Sequence, residues 1–376
     1  MNNSFQKIIS EEISSLSNIF KSNNSNSEAL GIDIGSSSIK VVQLKKKNGK
    51  AILETYGVLS LGPYGNVDVG VATNLKTEDI SRALIDVITE SKVTTNFATI
   101  SIPSLSSLIF TLSLPNKVDD TQLAKIIPTE ARKYIPVPIS EVTLDWFVIP
   151  QESESFENEE GSSIPSKVEV LVVAIHNNTL AQYQEIVKKT NLHSDSFEME
   201  IFSNIRSSLN HDLAPVVLVD FGASKTKVSI VEAGIVRGFH VVNRGSQDIS
   251  RNISQSLSVT FEEAEKLKRS VGLDADIDIR TARISQSSID YIFSEINSIV
   301  FGYEKKYNKN ISKIFLIGGG SLLKGLLASA KKNFKAEVVY SNPFSKAETP
   351  AFLGPTLEAN GPEFAVAIGL ALHQLS

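Results

Sequence analysis

The chain has 376 residues, 41% hydrophobic and 21% charged, with 42 acidic against 37 basic side chains and a net charge of −5. This composition builds a globular core and two or three domains of about 150 residues each and excludes a disordered chain; the slight acidic excess argues against a nucleic-acid binder, which needs a basic face. Cysteine is absent, which removes disulfides, thiolate zinc sites and cysteine nucleophiles, and no apolar run approaches the ~18 residues of a membrane-spanning helix.

The N-terminus, MNNSFQKIIS, lacks the apolar core of a secretory signal, so the expected compartment is the cytoplasm. Phe5, Ile8, Ile9, Ile13, Leu16, Ile19 and Phe20 recur at helical spacing, and SNNSNSE at 22–28 reads as a flexible linker. Residues 1–28 are thus an amphipathic arm that either docks on its own chain or reaches a partner or membrane surface. The apolar EALGIDIG ends in a glycine turn and SIKVVQLKKK leaves it. Asn48-Gly49 marks a hairpin, and KAILETYGVLSL returns. TEDISRALIDVITESK predicts a helix capped by Thr77, and FATISIP another strand. The stretch 101–193 alternates strand, helix, strand, strand and helix, which predicts a small inserted domain; Pro136 and Pro138 end its first helix, and the acidic 151–163 is a solvated loop. Strand, glycine turn and strand then recur at 215–245, followed by a helical block at 246–311. KIFLIGGGSLLKGLLASAKK reads as strand, triple glycine and helix, and FAVAIGLALHQ as an apolar closing helix.

The two glycine-turn regions superpose without a gap. GIDIGSSSIKV at 31–41 lies over LVDFGASKTKV at 218–228, matching Asp33 with Asp220, Gly35 with Gly222 and Lys40 with Lys227. A repeat of this length implies duplicated units. In each, an aspartate closes a buried strand, where an uncompensated charge is costly and a nearby cation offsets it. The turns Gly35-Ser36-Ser37-Ser38 and Gly222-Ala223-Ser224 with Thr226 can aim backbone N–H groups at phosphate oxygens. One such hairpin is commonplace; a matched pair points to a polyphosphate clamp. Asp33 and Asp220 would then hold Mg²⁺, largely through water, since Mg²⁺ dehydrates reluctantly, and Lys40 would meet phosphate as a point charge.

Gly318, Gly319, Gly320 and Ser321 follow a strand, so their backbone can lie flat on a base or close on a phosphate, or simply make a turn. Glu262, Glu265 and Lys268 share one helix face. They serve either as contacts to an adenine edge and ribose hydroxyls or as the solvated side of an amphipathic helix. The five histidines show no HExxH or paired spacing and no GxSxG occurs, which disfavours zinc and serine hydrolases.

Taken together, GIDIGSSSIK, VVLVDFGASKTK and IFLIGGGSLLKGL resemble the two phosphate motifs and the adenosine motif of the actin-like ATPase superfamily, in the family's order. SFEMEIFSNIRSSL and FAVAIGLAL resemble its two connecting helices, with Ala367 and Gly369 allowing close packing. The inserted strand-helix-strand-strand block resembles that of the cell-division protein FtsA and the pilus-assembly PilM family, and LAKIIPTEARKYIPVPISEVTLDW and TFEEAEKLK favour the latter. The resemblance implies an α/β actin-like fold of duplicated RNase H-like halves. Its divisions are 1–28 arm and linker, 29–100 first half, 101–193 inserted subdomain, 194–214 first connecting helix, 215–245 second phosphate unit, 246–311 helical subdomain, 312–362 adenosine unit and 363–376 second connecting helix.

It also implies ATP or ADP with Mg²⁺ as cofactors, at most slow ATPase activity, and service as a cytoplasmic adaptor recruited to the inner membrane. The partners implied are the cytoplasmic N-terminal peptide of a PilN-like membrane protein, further pilus platform proteins and a second copy of the chain, with no nucleic acid. The second phosphate motif departs from the superfamily pattern, with Lys227 in place of an acid. That removes a water-orienting carboxylate and leaves Glu200 as the candidate catalytic residue. An FtsA-like filament protein and, less strongly, an actin-fold sugar kinase are the alternative readings. FtsA would be expected to carry a C-terminal amphipathic membrane helix, whereas HQLS follows the closing helix here.

Overall fold

The computed structural model describes residues 27–115, 120–149, 167–210 and 212–375. The helix expected at 5–20 and the acidic loop at 151–163 lie outside them. In chain order the main elements are β1 (Glu28–Ile34), β2 (Ser38–Lys47), β3 (Lys50–Ser60), α1 (Thr77–Glu90), β4 (Phe97–Ile102), β5 (Ser107–Pro115), α2 (Asp120–Ala131), β6 (Val142–Ile149), β7 (Lys167–His176), α3 (Asn177–Lys189), β8 (His193–Met199) and α4 (Glu200–Ser208). There follow β9 (Val216–Phe221), β10 (Thr226–Glu232), β11 (Ile235–Val242), α5 (Ser246–Leu257), α6 (Phe261–Val271), α7 (Ile279–Tyr307), β12 (Lys313–Ile317), α8 (Leu326–Asn333), β13 (Glu337–Tyr340), α9 (Gly354–Asn360) and α10 (Ala365–Leu375).

Two five-stranded sheets carry the same plan. One runs β3-β2-β1-β4-β8 and the other β11-β10-β9-β12-β13. In each, two antiparallel hairpins feed a parallel neighbour, β1 beside β4 and β9 beside β12. Both β2–β3 and β10–β11 turn through two left-handed residues, Asn48 and Gly49 in the first and Ala233 and Gly234 in the second. That backbone matches the twist of paired strands. Val217, Val219, Phe221, Ile230, Ile289 and Phe293 close one core, and Ala29, Val42, Leu44, Phe364 and Ile368 another. Both sheets belong to one compact unit, residues 22–101 with 185–376.

A second compact unit contains residues 102–184. Its sheet runs β5-β7-β6, all antiparallel. Leu112, Leu114, Leu123, Ile127, Val170 and Val172 pack between this sheet and α2.

Four local expectations are corrected. Lys76, not Thr77, is the capping residue of α1, and no side chain caps it; Thr77 is the first helical residue and its carbonyl accepts from Ser81 Oγ (2.8 Å). The helix expected to run to Pro136 stops at Ala131, and turns bonded back to Glu130 and Ala131 replace it. Pro128 inside it has no N–H to give. The segment read as one connecting helix from 194 is a strand up to Met199 and a helix only from Glu200 to Ser208. The triple glycine opens a short 3-10 turn, Gly319–Leu322, and α8 starts only after Gly325 at φ +82°.

Candidate functional site

The two phosphate-type turns are built alike. Asp33 faces Lys40 across β1 and β2, and Asp220 faces Lys227 across β9 and β10. The Gly35 amide donates to the Ser38 carbonyl (3.0 Å), and the Gly222 amide to the Lys225 carbonyl (3.1 Å). A Cβ on Gly35 would sit 3.0 Å from that Ser38 oxygen, and one on Gly222 2.9 Å from the Lys225 oxygen. Each turn therefore needs its glycine for close backbone approach. The turns meet: Ser224 Oγ lies 3.4 Å from Ser36 Oγ.

Charge is dense at their base. Asp33 accepts from Ser101 Oγ (3.1 Å) and lies 3.9 Å from Lys40 Nζ. Burial drives its carboxyl above its ordinary value of 3.8, against the pull of Lys40. Lys227 Nζ binds Glu200 (2.7 Å) and Asp220 (3.3 Å). Burial disfavours this ammonium, but Glu200 and Asp220 outweigh it and hold it well above the usual lysine range. Three carboxylates and two ammonium groups, Asp33, Glu200 and Asp220 with Lys40 and Lys227, thus act on one another at the base of the turns, with a formal charge of −1 when all are ionised. Glu200, expected at the chemistry, is here, and its carboxylate accepts from Lys227.

The adenosine-type turn closes one side. Gly318, at φ +81°, lies so near Asp220 that a Cβ there would come within 2.5 Å of Oδ1. Ser321 is buried and its hydroxyl donates to the Gly318 carbonyl (2.6 Å). Gly320 stacks on Phe221, where a Cβ would meet the ring at 2.1 Å. The Thr226 hydroxyl donates to the Arg244 carbonyl (2.9 Å), so it braces the turn from behind.

On α6 the three residues expected to share a role separate. Glu262 is exposed and pairs with Lys266 (2.7 Å). Glu265 and Lys268 are buried and bonded to each other (2.5 Å). Glu265 also accepts from Ser250 Oγ (2.6 Å) and Arg269 Nε (2.8 Å). Burial raises its pKa, yet Lys268, Ser250 and Arg269 bring it below the ordinary carboxylate value, while burial lowers that of Lys268.

Several groups escaped the sequence reading. Ser101 braces Asp33 from the neighbouring strand; its signal was a polar residue alternating with buried isoleucines in FATISI. Glu363 approaches Gly319, 3.7 Å from the position of a Cβ there. Burial raises its pKa against the influence of Lys40 and Arg269. The loop at 70–73 reaches α5 and α6, where the Ala72 amide donates to Gln247 Oε1 (3.0 Å). No local pattern announces either contact.

Duplicated sheets whose matched acidic turns meet at a shared cleft define the actin-like ATPase fold, here with an inserted strand-helix-strand-strand unit. The solved structure of a PilM–PilN type IV pilus biogenesis complex is similar at a TM-score of 0.78 and 21% identity, covering 93% of this chain and 98% of that one. The ethanolamine utilization protein EutJ from Carboxydothermus hydrogenoformans follows at 0.52 and 13%, covering 99% and 98%. In sequence, the cell division protein FtsA of Neisseria meningitidis serogroup B (strain ATCC BAA-335 / MC58) is 24% identical over 379 residues, 91% of this chain and 88% of that one. The family model for type IV pilus assembly protein PilM matches residues 31–375, and the chain belongs to that family.

Proposed function

We propose that the protein is a cytoplasmic, nucleotide-binding adaptor of a type IV pilus or related machine, taking Mg²⁺ with ATP or ADP in its cleft and the N-terminal tail of a PilN-like membrane protein as partner. The observation that carries the nucleotide half is the contact between two equivalent turns, each backed by an aspartate and a lysine. The amides of Ser36, Ser37, Ser38, Ala223 and Ser224 would serve the phosphates, joined by Lys40. Gly318, Gly319 and Gly320 would take the base, and Glu265 and Lys268 the ribose side.

The donor set suits Mg²⁺. Asp33 and Asp220 offer hard carboxylate oxygens, and the cleft floor is net negative. Among the described residues no three acidic or histidine side chains converge as a metal cage. A cation here would thus rely on few protein oxygens, plus water and phosphate, as Mg²⁺ prefers. When bound it would neutralise phosphate charge. Glu200 is already a partner of Lys227, which supports slow turnover rather than an efficient ATPase.

Family membership and likeness to the PilM–PilN complex support the partner half. Among the described residues no helix is long and apolar enough to cross a membrane; the partner's tail would be one means of recruitment. The test is Mg²⁺-ATP binding by calorimetry to the wild type, Asp33→Ala and Asp220→Ala. Loss of a charged partner worth about 1.5–3 kcal/mol predicts about tenfold or greater weakening in each, with unchanged circular dichroism. Wild-type affinity in both variants would refute the nucleotide reading.

A further inference from the structure

The segment 70–73 ties the two phosphate turns together from outside. The Ser36 carbonyl, in the first turn, accepts from both the amide (2.8 Å) and the hydroxyl (3.0 Å) of Thr73. One residue earlier, the Ala72 amide donates to Gln247 Oε1 (3.0 Å). Gln247 is buried at the start of α5, and its backbone N–H donates to the Ala223 carbonyl in the second turn (3.0 Å). Gly70, at φ +93°, lies against the Glu265 carboxylate, where a Cβ would stand 2.8 Å from Cδ. One side chain thus completes a continuous path: first turn, Thr73, Ala72, Gln247, second turn.

We propose that Gln247 is a positioning residue of the cleft, setting the spacing of the two phosphate turns through the 70–73 strap and so governing how long a nucleotide stays. The proposal rests on the nucleotide reading for its ligand, but the coupling of strap to turns exists without one. The direct turn-to-turn hydrogen bond from Ser224 to Ser36 lies at the long limit, 3.4 Å. The strap path has bonds of 2.8–3.0 Å at every step, so it, more than the hydroxyl contact, holds the turns at their distance. Gly70 pressing on Glu265 puts the same segment over the side of the cleft proposed for the ribose.

The path can be cut from either end. Gln247→Leu removes the acceptor and Ala72→Pro removes the donor without touching α5. Gln247→Glu keeps an acceptor at the same reach. The readouts are the release rate of a fluorescent ADP analogue in Mg²⁺ and, in ligand-free protein, hydrogen exchange at peptides spanning 33–40 and 220–227. Loss of one hydrogen bond predicts release about fivefold faster in Gln247→Leu and in Ala72→Pro. The double variant should be no faster than either single, because both cut one link, and Gln247→Glu should stay near wild type. Exchange at both turns should rise in the single variants. Additive effects in the double variant, or exchange rising only within 66–76, would reduce the strap to a local contact and overturn the proposal. A wild type that binds no nucleotide would end the functional reading, while the exchange data would still decide the coupling. If Gln247→Leu fails to fold, Ala72→Pro carries the test alone.

Discussion

At the scale of single residues, the cleft holds acids in a place that disfavours them. Asp33 is buried, and Glu200 and Asp220 add to the burial that raises its pKa, while Lys40 and Lys227 pull it down. The native value stays above the ordinary 3.8. For an acid raised in the folded state, the stability penalty is absent below the unfolded-state value and complete above the native one. A cation needs the ionised form, so Mg²⁺-ATP affinity should grow as pH rises through the native Asp33 value. Lys40→Met takes away the nearest offsetting charge. Its overall affinity falls, and the acid limb of its binding curve should move to higher pH than in the wild type. Calorimetric titrations at a series of pH values would show this; a limb at the same pH in both proteins would remove Asp33 from cation binding. Asp33 and Lys40 were legible because the repeat matches them with Asp220 and Lys227; that they face each other is set by the register of β1 on β2. Ser101 and Glu363 were not, since each reaches the cleft only through folding of distant strands and turns.

At the scale of elements, α10 shows how glycine and alanine place the acids. A Cβ on Gly31 in β1 would lie 1.9 Å from the Ala367 carbonyl oxygen, and one on Gly369 2.1 Å from that of Ser203 in α4. The helix is therefore seated backbone to backbone on the strand that carries Asp33 and on the helix that begins at Glu200. This close packing was readable from Ala367 and Gly369. The strand β8 was not: SFEMEIFSNI carries apolar residues at spacings that suit either structure. What decides it is tertiary. Glu198 is buried within β8 and accepts from both terminal guanidinium nitrogens of Arg206 (2.6 and 2.7 Å) and from Ser203 Oγ (2.6 Å). Burial raises the Glu198 pKa, but Arg206 brings it below the ordinary carboxylate range. Gly369→Ala forces α10 off α4. Overpacking of this kind costs about 1–3 kcal/mol, and urea denaturation should show that loss. Unchanged stability would mean the two helices have room to part, contrary to the spacing seen.

At the scale of the molecule, duplication makes one cleft from two halves, and a ligand between them has only two ways to act. It either binds all arrangements of the halves equally and shifts nothing, or favours one and moves the population toward it. A charge-dense floor to which both halves contribute would favour the second. If the tail of a PilN-like partner likewise prefers one arrangement, nucleotide and tail must change each other's affinity by the same factor, because coupling is a property of the four-state cycle. The expected size is about five- to 150-fold. Calorimetry of the tail peptide with and without saturating Mg²⁺-nucleotide gives one side of the cycle, and nucleotide titration with and without the peptide gives the other. Equal, non-unit factors would establish an adaptor that reports nucleotide state to its membrane partner. Factors of one on both sides would make the bound nucleotide a structural support, with the cleft held shut regardless of what the tail does.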